Sequence, residues 1–107
     1  MMSEYTPDRW VMLEITGKNS EPIRKIFAGW YGGFTQGDSW KLNSGVTAIR
    51  MDDGGHYEFD GQSGSTYYCH VNGHGMSGYM FSVLTSWRNM YPSIQIKEIA
   101  LEDIVAL

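Results

Sequence analysis

Apolar positions recur every second residue through most of the first two thirds of the chain, then switch to helical spacing. From Trp10 to Ile15, the residues Val11, Leu13 and Ile15 alternate with Trp10, Met12 and Glu14. That period predicts a strand whose second face is also partly apolar. Gly17 to Pro22 reads as a turn. A second strand follows from Ile23 to Tyr31, with Ile26, Ala28 and Trp30 on one face and Phe27 and Tyr31 on the other. The two strands are expected to form a hairpin, preceded by a short arm over residues 1–8.

Beyond a glycine-rich connection at 32–39, Trp40, Leu42, Ser44, Val46 and Ala48 share one parity. They predict either one long strand bent at Gly45 or two short ones, since glycine inside a strand pattern marks a bulge or a close approach. Asp52-Asp53-Gly54-Gly55 is the clearest hairpin turn. His56 to Asp60 returns with Tyr57 and Phe59 on one face, and Gly61 to Gly64 turns again. Ser65 to Asn72 then sets Tyr67, Cys69 and Val71 opposite Tyr68, His70 and Asn72.

At this point the period changes. Met80, Val83, Leu84, Trp87, Met90 and Tyr91 repeat at helical spacing, with Ser77 as N-cap and Pro92 as a stop. A helix over 77–90 is predicted. Ile94, Ile96, Ile99 and Leu101 predict a last strand, with a bulge at Lys97-Glu98 to absorb a slip in parity. The expected fold is α+β in a single domain, residues 1–107: a strongly bent antiparallel sheet of about 5–6 strands, with the helix near 77–90 packed on its apolar face.

Composition narrows the picture. The 107 residues are 42% hydrophobic and 14% aromatic, well above the disordered regime. Twelve acidic and eight basic residues give a net charge of −4, without the clustered Lys and Arg that nucleic acid demands. A single cysteine, Cys69, excludes an internal disulfide. No run approaches the roughly 18 apolar residues of a membrane helix. The polar N-terminal residues carry no signal-peptide pattern, so a reducing cytoplasm is the expected compartment.

Candidate chemistry centres on Gly29 to Gly45, where two tryptophans and five glycines enclose a dense polar set. Glycine permits close backbone approach and tryptophan offers a wide apolar face with one N–H. Trp30, Tyr31, Phe34, Asp38, Ser39, Trp40 and Asn43 are the candidate binding residues. The plainer alternative makes the tryptophans core residues and Asp38 a local turn cap.

Other patterns are weaker. Cys69 and His70 are adjacent on a strand and point to opposite faces, which argues against a shared metal or nucleophile site. Gly61-Gln62-Ser63-Gly64-Ser65 fails as a nucleophile elbow, because glycine is missing at 65 and a strand follows. Asp52, Asp53, Glu58 and Asp60 cluster in glycine-rich turns that look solvated, unlike a general acid with a raised pKa. Gly73-His74-Gly75-Met76-Ser77-Gly78 matches a dinucleotide fingerprint in letters, but lacks the parallel βαβ context. No catalytic residue, cofactor or metal is expected, and the chain reads as a non-enzyme.

Three strings carry a resemblance: Trp30 to Phe34, Gly37 to Val46, and Tyr57 to His70. They are similar to small uncharacterised accessory proteins encoded by tailed bacteriophages, over about residues 5–90. The resemblance implies context alone, namely expression in the cytoplasm of an infected host cell, and no chemistry. The expected function is then a non-enzymatic protein that binds a host protein, such as an inhibitor of host defence. The alternative is a small-molecule or nucleotide-binding, sequestering protein using the 29–45 loop. Neither a nucleic-acid nor a membrane partner is expected. A homodimer is a further expectation, with the Ile94–Leu101 strand as one candidate for the pairing, because an unpaired edge must be covered, charged or paired.

Overall fold

The structure, a computed structural model, describes residues 3–33 and 37–104. Among these, eight strands and one α-helix make the chain α+β. The strands are β1 (Glu4–Tyr5), β2 (Arg9–Thr16), β3 (Ile23–Trp30), β4 (Ser39–Leu42), β5 (Val46–Met51), β6 (His56–Gly61), β7 (Thr66–His70) and β8 (Gln95–Ile99), with α1 (Gly78–Met90) between β7 and β8. One sheet has the order β1-β7-β6-β5 and the other β4-β3-β2-β8.

Three layers result: the first sheet, the second sheet, and the helix. Parity along β2 explains the arrangement. Trp10 and Met12 turn toward the first sheet and join Ile26, Ala28, Ile49, Phe59, Tyr67 and Cys69. Val11 and Leu13 turn the other way and join Phe27, Met80 and Leu84. Both faces of β2 are therefore covered, and Trp10 through Leu13 are wholly buried. The partly apolar second face seen in the sequence is the mark of a middle layer rather than of a half-solvated strand.

The hairpin of β2 and β3 forms as expected, in register from Arg9 opposite Gly29 to Ile15 opposite Ile23. Gly29 lies under the helix. A Cβ there would come within 2.8 Å of Met80 Cγ, so a side chain would force the buried Met80 side chain to shift. Ser77 caps the helix, its Oγ accepting from the Met80 amide at 3.2 Å. The buried and half-buried helical residues Met80, Val83, Leu84 and Trp87 form one stripe toward the second sheet.

The predicted β4–β5 stretch is two strands, and they belong to different sheets. Gly45, with φ 135°, makes the crossing in a conformation that other residues rarely adopt. This is why one bent sheet becomes two stacked ones. The N-terminal arm is also more than an arm, because Glu4–Tyr5 pairs in parallel with Thr66–Tyr67. Strand β7 ends at His70, and Val71–Gly73 forms a 3-10 turn.

The expected bulge at Lys97-Glu98 is absent: β8 runs in unbroken register against β2, Ile96 opposite Ile15 and Ile99 opposite Met12. Its parity changes because the strand is covered on both sides, Ile96 facing the helix layer and Ile99 the inter-sheet core. No helix among the described residues is long and apolar enough to cross a membrane.

Candidate functional site

The glycine-rich segment does not form one surface. Trp30 and Trp40 fall on opposite faces of the second sheet. Trp30 continues the Ile26–Ala28 parity and packs edge-on against Tyr5, 6.3 Å between ring centroids. Its Nε1 donates to the Thr6 carbonyl at 3.0 Å, so this indole fastens the N-terminal arm. Tyr31 is exposed, and its amide donates to Asp8 Oδ2 at 2.9 Å. Asp38 Oδ1 accepts from the Gly32 amide at 3.2 Å, the local role that the plainer reading gave it. Ser39 is an exposed residue opposite Trp30 in the β3–β4 pair. Phe34 lies outside the described residues.

Trp40 sits opposite Gly29 and faces the helix layer. Its ring lies 5.0 Å from that of Trp87 and 5.9 Å from that of Phe27. It remains 39% exposed, which separates it from Trp10 at 0%. Beside this cluster an apolar groove of about 210 Å³ opens between the end of α1 and the second sheet. Ile15, Leu42, Trp87, Tyr91, Ile94 and Ile96 line it, with no charged side chain among them. Strand β4 is the last in its sheet, so its outer edge has no strand neighbour among the described residues.

Asn43 is buried at 4% exposure, immediately after β4. Its backbone amide donates to the Ile26 carbonyl at 3.0 Å, and its Oδ1 accepts from the Ile26 amide at 2.8 Å. The side chain thus completes the β3 ladder while the backbone leaves the sheet. Its Nδ2 has no partner among the described residues.

Asn43 also lines a second and larger concavity, of about 350 Å³, at the edge where the chain crosses between sheets. The other lining residues are Tyr5, Lys25, Lys41, Leu42, Ser44, Ser63, Ser65 and Tyr67. Lys41 Nζ lies 5.0 Å from the Tyr5 ring centroid, a cation–π contact that places the ammonium over the cleft wall. Burial and the neighbouring Tyr5 push the Tyr67 phenol up to about 12, so it stays a neutral donor.

The structure therefore separates the seven sequence candidates. Asn43 lines the polar cleft, Trp40 flanks the apolar groove, and Trp30 and Asp38 hold structure. Sequence reasoning missed Lys25, Ser65, Tyr5 and Tyr67 as neighbours of Asn43. Each comes from a different strand or turn, and no local motif joins them. Trp87 and Tyr91 were legible only as a helical stripe.

The remaining motifs are tied up locally. Cys69 is buried between the sheets, where desolvation raises its thiol pKa, while His70 lies in the cross-strand pair with His56. Among the described residues no group of three metal-ligating side chains converges. Arg50 clamps Asp60 with two bonds of 2.9 Å and reaches Glu58 at 3.3 Å. That bonding lowers the Asp60 pKa, and backbone amides of His56 and Gly54 lower that of Asp52, the opposite of what a general acid requires. In the glycine run before the helix, the Gly75 amide donates to the Trp10 carbonyl and Ser77 caps Met80.

His74 packs edge-on against Trp10 at 4.9 Å, and its Nε2 is buried without a partner among the described residues. Burial lowers its pKa below the ordinary 6.5, against the opposing field of Glu98. The folded state therefore prefers neutral imidazole, and the unfolded chain takes up the proton first. Its contribution is present above pH 6.5 and is lost as pH falls below that value toward the folded pKa. Urea midpoints taken between about pH 7 and about pH 5 should fall on acidification, and the fall should be shallower in His74→Leu. Equal slopes in both proteins would remove His74 from the effect.

Comparison with known proteins found no matching family model, no similar curated protein and no similar solved structure.

Proposed function

We propose that this chain is a non-enzymatic binding protein that docks another protein on the face carrying Trp40. One observation carries the reading: a wholly apolar groove lies beside a partly exposed indole at a strand edge that is open among the described residues. Tryptophan and tyrosine dominate interface hot spots because they bring large rigid area at low entropic cost. The fitting occupant is an extended segment of the partner. It adds a strand along the outer edge of β4, and it inserts an apolar side chain between Leu42, Trp87 and Tyr91. The resemblance to phage accessory proteins makes a host bacterial protein the partner to seek, with inhibition of host defence as the working role.

The test is affinity capture from a bacterial host lysate, followed by binding measurements on the purified prey. Trp40→Ala and Tyr91→Ala should each weaken binding by about 2 kcal/mol, roughly 30-fold. Met51→Ala, exposed on the first sheet, should leave it unchanged. If the prey of wild type and of both groove variants bind equally well, the Trp40 face is not the docking surface.

A further inference from the structure

We infer that the polar cleft at the sheet crossing is a binding site for a small phosphomonoester, separate from the apolar groove. Lys25 and Lys41 both line it, together with Ser44, Ser63 and Ser65, and no carboxylate does. Neither lysine forms an ion pair among the described residues, whereas Arg24 and Arg50 elsewhere are each matched by carboxylates. In a chain of net charge −4, two lysines and no carboxylate lining one cleft are a local reversal of the overall sign.

Asn43 adds an independent observation. It is 4% exposed, it lines the same cleft, and its Nδ2 lacks a partner among the described residues. The amide orientation is not ambiguous, because Oδ1 is held by the Ile26 N–H and that atom must be an acceptor. A buried donor without an acceptor is rare in folded proteins and calls for an explanation. This Nδ2 lies in the cleft wall beside Gly61, so a ligand acceptor reaches it only if the Asn43 side chain shifts toward the cleft. Ser44 adds a donor: its Oγ already accepts from the Ser63 amide at 2.9 Å, which leaves its proton to donate.

The donor set selects the ligand class. Point-like ammonium groups and single hydroxyls suit a tetrahedral dianion with three acceptor oxygens. A planar carboxylate is matched best by the two-pronged arginine fork, which the cleft lacks. The volume of about 350 Å³ exceeds the phosphate itself and lies at the small end of ligand sites. The phosphate therefore carries a small organic group rather than a long chain.

The experiment is an NMR titration of the isotope-labelled chain with inorganic phosphate, glycerol 3-phosphate, acetate and a phosphoserine peptide. Saturable shifts are expected at the Asn43 side-chain amide and the Ser63–Ser65 backbone, for the first two probes. Lys25→Ala and Lys41→Ala should each weaken glycerol 3-phosphate by about tenfold. Lys25→Gln and Lys41→Gln serve if the alanine variants lose spectral dispersion. The inference is overturned if phosphate produces no saturable shift, if the shifts centre elsewhere, or if all lysine variants bind like wild type. Acetate binding as tightly as phosphate would reject the ligand class. A phosphoserine peptide binding more than about tenfold tighter than glycerol 3-phosphate would reject the small-molecule assignment.

Discussion

Trp10→Ala is expected to destabilise the chain by about 3–5 kcal/mol, measured by urea denaturation. Trp10 is wholly buried between the two sheets, its ring within 6 Å of three others. Its Nε1 donates to the His70 carbonyl at 2.7 Å, so truncation also strips that carbonyl of its donor. The indole thus ties the middle strand β2 to the end of β7 in the opposite sheet. For a domain of this size the loss should lower Tm by roughly 15 °C or more. Trp10→Phe restores most of the volume but not the N–H, so it should fall between the two. A loss of under about 1 kcal/mol for the alanine variant would mean that the sheets are not stacked through this residue.

Leu84→Ala is the companion result on the other side of β2, with an expected loss of about 2–5 kcal/mol. Leu84 is 1% exposed and packs with Val11, Leu13, Phe27 and Met80. Its removal opens a cavity under the helix, and the strands beneath are held on both sides, so the site has little room to collapse. The two clusters share no buried residue, since β2 divides them. Combining Leu84→Ala with Ile49→Val, a mild change in the inter-sheet core, should therefore be additive within about 0.5 kcal/mol. Marked coupling between the two would indicate one continuous core and would contradict the three-layer arrangement.

Much of the local structure was legible beforehand. The β2–β3 hairpin followed from alternation bounded by a turn. The Asp52–Gly55 turn followed from its side chains: Asp52 Oδ1 accepts from the Gly54 and His56 amides, both at 2.9 Å. Ser77 and the spacing of Met80, Leu84 and Trp87 announced the helix and its buried stripe. Less of the candidate site was readable. Trp30 and Trp40 share a parity, and nothing between them reveals that the chain reverses so that they face opposite layers. Asn43 was legible as a polar residue near glycines, but its burial depends on Ile26, seventeen positions earlier. Lys25 is brought to it by the pairing of β4 with β3, and Ser65 only by the crossing at Gly45 and the turn between β6 and β7.

From sequence alone come the class, the strands other than β1, the helix and its cap, because each depends on neighbours within a few residues and on a periodicity that any such segment must obey. Stacking two sheets, pairing β1 in parallel with β7, and dividing the tryptophans between a cleft side and a groove side were decided only on assembly. A stripe of apolar side chains states that a face will be covered. Which surface covers it depends on how all the stripes are buried together, and that is a property of the whole chain.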